Sequence, residues 1–432
     1  MTLRQFLFEN ESVNGINTPS DYLYIKIVRF MLVTVGSWPR KLLGEPESNY
    51  QAVFIRIFYF ALCIVLKFGY VAYVYIHFSE LDFLEAGHMY ITILMTAVCL
   101  FRVSTLTLSE KYRTVAKNFL RKYHLFYYKD RSEYAMKTHK MVHLVSHLFT
   151  LCLLGQMWVG LSLYNLIPMY SNYAAGRYKS GGTQNSTFEH SLYWPFPFNT
   201  STEMKGYIVA CIINWWLTYL CSVWFVMFDL FLSLMVFHIW GHFKILLHLL
   251  NDFSRPSSYF NFIVEDGLEI KVEKYSKEEL LKVSEKLKEC ITYHQEIIEF
   301  TNTISDVFGP MLFVYYVFHQ ASGCLLLLEC SQMSTQALMR YLPLTIILTQ
   351  QLIQLSVTFE LVGSESAKLK DAVYGVPWEC MDTKNRKVVT FFLMNVQEPV
   401  HVKALGLANV GVTSMAMILK TSLSYFTFLR SM

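Results

Sequence analysis

Charge is scarce in this 432-residue chain. Asp, Glu, Lys and Arg together make up only 16% of it, against 53% hydrophobic residues and 16% aromatics. A mean hydropathy of +0.32 is too apolar for an ordinary water-soluble domain, so the composition describes an integral membrane protein. The net charge is a modest +4, and no basic block is interleaved with aromatics, which argues against a nucleic-acid partner. Residues 1–20 are polar and lack the charged start, apolar run and small-residue cleavage site of a signal peptide, so the first membrane helix is expected to direct insertion. Also missing are an internal repeat, which argues against a transporter built from inverted halves, and any nucleophile elbow, phosphate loop or paired-carboxylate site.

What is present is a series of apolar runs. A hydrocarbon core of ~30 Å needs about 20 mostly apolar residues per helical span. Seven stretches qualify, near residues 50–78, 84–104, 140–168, 206–236, 305–329, 336–362 and 404–428. Lys and Arg are concentrated in alternate connections. Residues 1–48, 102–140, 242–303 and 364–403 carry 5, 10, 8 and 6 of them, whereas the other connections and the C-terminus hold only Arg177, Lys179 and Arg430. Positive charge marks the cytoplasmic side, so the expected fold is all-α, with seven transmembrane helices, a cytoplasmic N-terminus and an extracellular C-terminus.

The fourth connection agrees with that orientation, because it holds two glycosylation sequons, at Asn185 and Asn199. A third, at Asn10, falls on the cytoplasmic side and is expected to stay unused. Most of the nine cysteines lie within spans, which excludes a disulfide framework. A G-protein-coupled receptor would need the opposite orientation. It would also need Asp-Arg closing the third span, where Asp130-Arg131 instead precedes it, and an Asn-Pro-x-x-Tyr that the last span lacks.

The last 60 residues carry a resemblance. Tyr374 and Trp378 form a Tyr-x-x-x-Trp, Gln397 and Pro399 a Gln-x-Pro, and Lys420 to Phe426 a closing Lys-Thr-Ser-x-Ser-Tyr-Phe; Trp38-Pro39 supplies an N-terminal Trp-Pro. This combination resembles the insect odorant receptors, and the length, seven spans and inverted orientation fit across the whole chain. The resemblance implies a ligand-gated, non-selective cation channel in the plasma membrane of olfactory neurons. It also implies a heterotetramer of an odorant-binding subunit with the olfactory co-receptor, and no cofactor. The 242–303 loop lacks the long insertion of the co-receptor, so this chain resembles the ligand-tuned subunit.

The resemblance divides the chain into a cytoplasmic segment 1–49, a six-helix ligand-binding bundle 50–362 with a cytoplasmic helical extension 268–303, a cytoplasmic anchor 363–403 and a pore-lining helix 404–432. The residues support this division. Leu280, Val283, Leu287, Cys290 or Ile291, His294 and Ile297 form one stripe of a helix that should run into the fifth span. Val389, Phe392, Leu393 and Val396 recur at helical spacing before Pro399 interrupts the helix, and the membrane part should begin near Leu405. In the last span Thr421, Ser424, Phe428 and Met432 share one face. Hydroxyls there suit a water-filled pore with Phe428 or Met432 as an apolar constriction, although small hydroxyl residues also let helices pack closely.

The family's pocket lies in the outer half of the membrane, enclosed by the second to sixth spans. Depth alone selects His88, Ile91 and Thr92, then Gly155, Gln156 and Val159, then Ile213 and Trp216, then Phe318 and His319, and finally Tyr341. A mainly apolar cavity of this kind suits a small volatile molecule. The alternative is a histidine-metal membrane enzyme of desaturase type, because His139, His143 and His147, and His238 and His242, repeat every four residues. The adjacent His-His boxes of such enzymes are absent. Glycosidase digestion of the expressed protein tests the orientation. A mobility shift should be lost in the double variant Asn185→Gln/Asn199→Gln and unaffected by Asn10→Gln.

Overall fold

The computed structural model describes residues 16–46, 48–79, 81, 83–178, 187–257, 259–263, 269–331 and 335–431. Its helices are α1 (Leu23–Thr34), α2 (Asn49–His77), α3 (Phe83–Val103), α4 (Glu110–Asn118), α5 (Glu133–Ala174), α6 (Met204–Asn251), α7 (Lys277–Cys330), α8 (Thr335–Ser366), α9 (Leu369–Tyr374), α10 (Thr383–Asn395) and α11 (Val412–Ser431). Two small antiparallel hairpins complete it: β1 (Tyr259–Ile263) with β2 (Glu269–Glu273), and β3 (Lys403–Ala404) with β4 (Ala408–Asn409). The fold is an all-α membrane protein with seven spanning helices. Helices α2, α3, α5, α6, α7 and α8 are long and apolar enough to cross a bilayer by composition. The seventh, α11, is interrupted by Lys420, Thr421, Ser422, Ser424 and Thr427.

Helix length carries the bundle beyond the membrane. At 1.5 Å per residue, the 54 residues of α7 extend roughly 80 Å and the 48 of α6 roughly 70 Å. Both exceed a ~30 Å hydrocarbon core, so several turns emerge at the end of the bundle that also carries α1, α9 and α10, which we call the basic end. Helix α7 starts there with a reciprocal cap: Ser276 Oγ accepts from Glu279 N at 3.2 Å, and Glu279 Oε2 accepts from Ser276 N at 2.7 Å. Its buried stripe is Val283, Leu287, Cys290, His294 and Ile297, and it continues through Pro310 into the membrane. Ser132 and Asp382 cap α5 and α10 with a single side-chain bond each, accepting from Ala135 N and Asn385 N.

Helix α6 is the axis of the bundle. Its most apolar window is 89% buried, against 17% for α2 at the periphery. Helix α5 packs along α6, α8 packs along both α6 and α7, α3 on α7, and α11 on α7. The last contact is close, with Ser422 Oγ donating to Gln320 O at 3.2 Å and lying 3.1 Å from where a Cβ on Gly323 would stand. The seventh span begins at Val412 and not near Leu405, because Leu405 and Gly406 take left-handed φ values of 51° and 70° and turn the chain between β3 and β4. That hairpin sits on Gly309 of α7, where an added Cβ would come within 2.8 Å of Lys403 O.

Three of the histidines with four-residue spacing, His139, His238 and His242, take separate hydrogen bonds at the basic end. Tyr22 Oη pairs with His139 Nε2 at 2.9 Å, and Tyr24 Oη with His124 Nε2 at 2.8 Å. His242 meets the Tyr293 hydroxyl and Tyr123 O, each at 2.7 Å. His238 Nδ1 accepts from Leu125 N at 3.1 Å, and its ring lies 4.0 Å from that of His124. Burial holds His124 well below the ordinary imidazole range, aided by neighbouring His139. Among the described residues no three His, Cys, Asp or Glu are placed to hold a metal.

One ion pair ties the membrane helices together. Arg102, at the end of α3, is fully buried. Its Nη2 donates to Asp229 of α6 at 2.9 and 3.1 Å, and its Nη1 donates to the carbonyls of Trp224 (3.3 Å) and Phe225. The guanidinium also lies 4.2 Å from the Phe225 ring centre and 4.8 Å from that of Tyr315. Removing one partner strands a charge in apolar surroundings, which costs about 3–5 kcal/mol. Arg102→Met and Asp229→Leu should therefore each lower the unfolding temperature in detergent sharply, and the double variant should recover most of the loss.

Candidate ligand cavity

The walls of the cavity are built from helices whose membrane portions carry small or polar residues at turn-like intervals. Cys63, Leu66 and Tyr70 come from α2; Thr92, Met95, Thr96 and Cys99 from α3; Gln156, Met157, Gly160, Leu161 and Tyr164 from α5. Helix α6 adds Leu217, Thr218, Cys221, Ser222, Trp224 and Phe225, and α8 adds Leu344, Ile347, Leu348 and Gln351. Together they enclose a cavity of about 130 Å³. From Thr92 to Cys99 it runs roughly 10 Å along α3 toward the Arg102 pair.

The polar groups in this wall are of two kinds. Thr92 and Thr218 return their hydroxyls to carbonyls four residues back, at 2.9 and 2.6 Å, and Thr96 does so at 3.1 Å. Those hydroxyls are already satisfied within their helices. Gln156 differs: both amide atoms are buried without a protein partner, and so is Oε1 of Gln351. The two glutamines face one apolar space from α5 and α8. An occupant offering a donor or an acceptor would find both groups unpaired.

A loop closes the cavity at the end opposite the basic one. Leu192 lines it, and the loop is held by Asn214 Nδ2 donating to Leu192 O (3.0 Å), His88 Nε2 on Ser191 O (2.8 Å) and Ser191 Oγ donating to Asn165 Oδ1 (2.9 Å). Trp194 covers Gly69 of α2 so closely that an added Cβ would stand 1.7 Å from its ring, which makes glycine obligatory there. Beyond this plug, Tyr73, His77, Tyr193, Trp194 and Phe196 line an aromatic recess. Burial in this loop pushes the His190 imidazole below its ordinary range, partly offset by its contact with Thr200 O at 3.1 Å.

The residues selected by depth fall into distinct places. Thr92 and Gln156 line the cavity. His88 stands one turn away, bonded to the loop and, at 3.3 Å, to the Tyr164 hydroxyl. Gly155, next to the lining Gln156, has open space at its Cβ position, and Val159, next to the lining Gly160, is exposed on the outside of α5. Trp216 is exposed beside the lining Leu217, and Ile213 packs with Leu217 and Tyr70. Phe318 and His319 are buried behind Phe225, and Ile91 and Tyr341 are buried outside the lining. On α11, Thr421, Ser424 and Phe428 share an exposed face, and Asn199 is exposed. Asn10, Asn185 and Met432 lie outside the described residues.

Cys63, Leu66 and Tyr70 were not anticipated, because the first span was not counted among the walls. Gln351 carried a legible signal: an amide inside an apolar run is costly unless it faces a partner or a cavity.

Known proteins bear on the same architecture. A family profile described as 7tm Odorant receptor matches residues 82–423. This chain belongs to the odorant receptor family. Among curated relatives, it is 27% identical over 161 residues to Odorant receptor 13a of Drosophila melanogaster, covering 34% of this chain and 38% of that one. It is 25% identical over 146 residues to Odorant receptor Or2 of Anopheles gambiae, covering 33% and 38%. Each match thus spans little more than a third of the relative's length. The olfactory receptor OR5 of Machilis hrabei, solved in complex with eugenol, shares the fold with a TM-score of 0.72 over 94% of this chain and 97% of that one, at 14% identity. The protein is a multi-pass plasma-membrane receptor of this family and not an enzyme, which sets aside the desaturase alternative.

Gln156→Leu should raise the unfolding temperature of the unliganded receptor, because an unpaired buried amide costs about 1–3 kcal/mol. A fall in that temperature would show that the amide has a partner when the cavity is empty.

Proposed function

We propose that this chain is the odorant-tuned subunit of a non-selective cation channel formed with the olfactory co-receptor. The observation that carries the reading is the cavity: set among five membrane helices, mainly apolar and furnished with unpaired amide groups from two of them. Such a site suits a small volatile carrying one or two hydrogen-bonding atoms. Eugenol, bound by the Machilis receptor of the same fold, is a ligand of that class. In this reading the basic end faces the cytoplasm, and Asn185 and Asn199 carry glycans outside.

Helix α11 is the proposed pore helix. Its Ser422 side packs on α7 while Thr421, Ser424 and Phe428 stay exposed, so packing within the subunit leaves that face available to line a central path. Subunit contact at the cytoplasmic end is supported by Tyr374 on α9 and by Phe391 and Met394 on α10, large apolar side chains left exposed among the described residues. Ligand occupancy would favour an open arrangement in proportion to its greater affinity for that state.

Whole-cell recording of cells expressing this chain with an insect co-receptor tests the reading. A panel of volatiles applied under G-protein blockade should evoke fast cation current only in co-expressing cells, and Gln156→Leu should weaken the potency of hydrogen-bonding agonists about 10- to 100-fold. Persistent silence with confirmed surface expression would count against the channel reading.

A further inference from the structure

Two thiols meet in the wall of the cavity. Cys99 of α3 and Cys221 of α6 have their Sγ atoms 3.3 Å apart, and both line the space along with Cys63 of α2. All nine cysteines are free thiols. A disulfide has S–S near ~2.05 Å, so the pair needs to approach by little more than about 1 Å to bond. Both sulfurs border the cavity, so a small uncharged oxidant that reaches its interior meets them together.

We propose that Cys99 and Cys221 form a redox-active dithiol that a peroxide-class oxidant closes to a disulfide, tying α3 to α6 beside the cavity. The chemistry balances in two steps. One sulfur attacks a peroxide oxygen, the O–O bond breaks, and a sulfenic acid forms while the departing hydroxide takes the thiol proton as water. The second sulfur then attacks the sulfenic sulfur, the S–O bond breaks, and a second water leaves with the remaining proton. Two thiols lose two electrons and two protons, and hydrogen peroxide becomes two waters.

The bond would act on a specific part of the wall. Cys99 lies one turn from Arg102 on α3, and Cys221 lies two turns from Asp229 on α6. A disulfide would add a second tie between helices already joined by that ion pair. In the reduced pair the Cys99 and Cys221 sulfurs can separate at cavity depth, and in the oxidised pair a covalent bond holds them together.

The test uses the full chain in membranes and does not depend on any odorant response, so its failure is separable from failure of the channel reading. Graded hydrogen peroxide is followed by N-ethylmaleimide, digestion and mass spectrometry. The expected result is loss of labelling at Cys99 and Cys221 together, with the two peptides joined and two hydrogens lighter, and recovery of both on reduction with dithiothreitol. Phenylarsine oxide, which binds paired thiols, should protect both in the untreated protein. Cys99→Ser and Cys221→Ser should each abolish the linked peptide, and Cys63→Ser should leave it. Full labelling of both thiols after peroxide and no protection by the arsenical would overturn the proposal, as would a link from Cys221 to Cys63 in the unaltered chain.

Discussion

A charge within an apolar bundle has to be paired, and Arg102 is held to Asp229 in a way that fixes more than a salt bridge. Its Nη1 also takes the carbonyls of Trp224 and Phe225, whose residues form part of the cavity wall. A guanidinium presents five donors in a rigid fork, so the angle at which α3 meets α6 is set by several bonds at once. The position of Phe225 follows from that angle, and with it the wall against which Phe318 packs. The central helix is therefore positioned against its neighbour by polar geometry as well as by van der Waals contact, a distinction that matters where lipid supplies no hydrophobic drive between helices.

Length supplies the second constraint. Helices α6 and α7 are too long to end at the membrane surface, so the same continuous backbones that line or flank the cavity also build the basic end. Helix α7 runs from its Ser276 cap, past α10, beneath the β3–β4 hairpin at Gly309 and along α11 at Gln320. The cytoplasmic contact surface proposed for neighbouring subunits and the face proposed for the pore thus rest on one helix. No flexible connection intervenes between them along α7.

The spans, the extended α7 and the buried stripe on it were legible because each is a contrast between apolar and polar residues along the chain. The cavity was legible only in depth. In helices such as α5 and α6, whose membrane portions are apolar on most sides, periodicity cannot say which side faces a neighbour and which a void, so the cavity borders Gly160 where depth selected Val159, and Leu217 where it selected Trp216. The β3–β4 hairpin was hidden for a different reason. Leu405 is an apolar residue that extends the run of the last span on paper, while its left-handed conformation depends on the seat that α7 provides at Gly309.

Polar residues within spans differ in how much they reveal, and hydrogen-bond capacity explains why. A serine or threonine in a helix can return its hydroxyl to the carbonyl four residues back, as Thr421 does to Met417 O at 2.7 Å, Ser424 to Lys420 O at 3.0 Å and Thr427 to Leu423 O at 2.8 Å. Such a residue is tolerated against lipid, protein or water alike, so the hydroxyls of α11 do not by themselves distinguish a pore face from a packing face. What separates them is that Ser422 spends its hydroxyl on α7 while Thr421 and Ser424 keep theirs on their own helix and stay exposed. A glutamine cannot be satisfied in that way. Its amide nitrogen can reach a backbone carbonyl, but its carbonyl oxygen needs a donor, and a helix interior has no spare N–H to give. The unpaired oxygens of Gln156 and Gln351 therefore point to something outside their own helices, and the space they both border is the cavity.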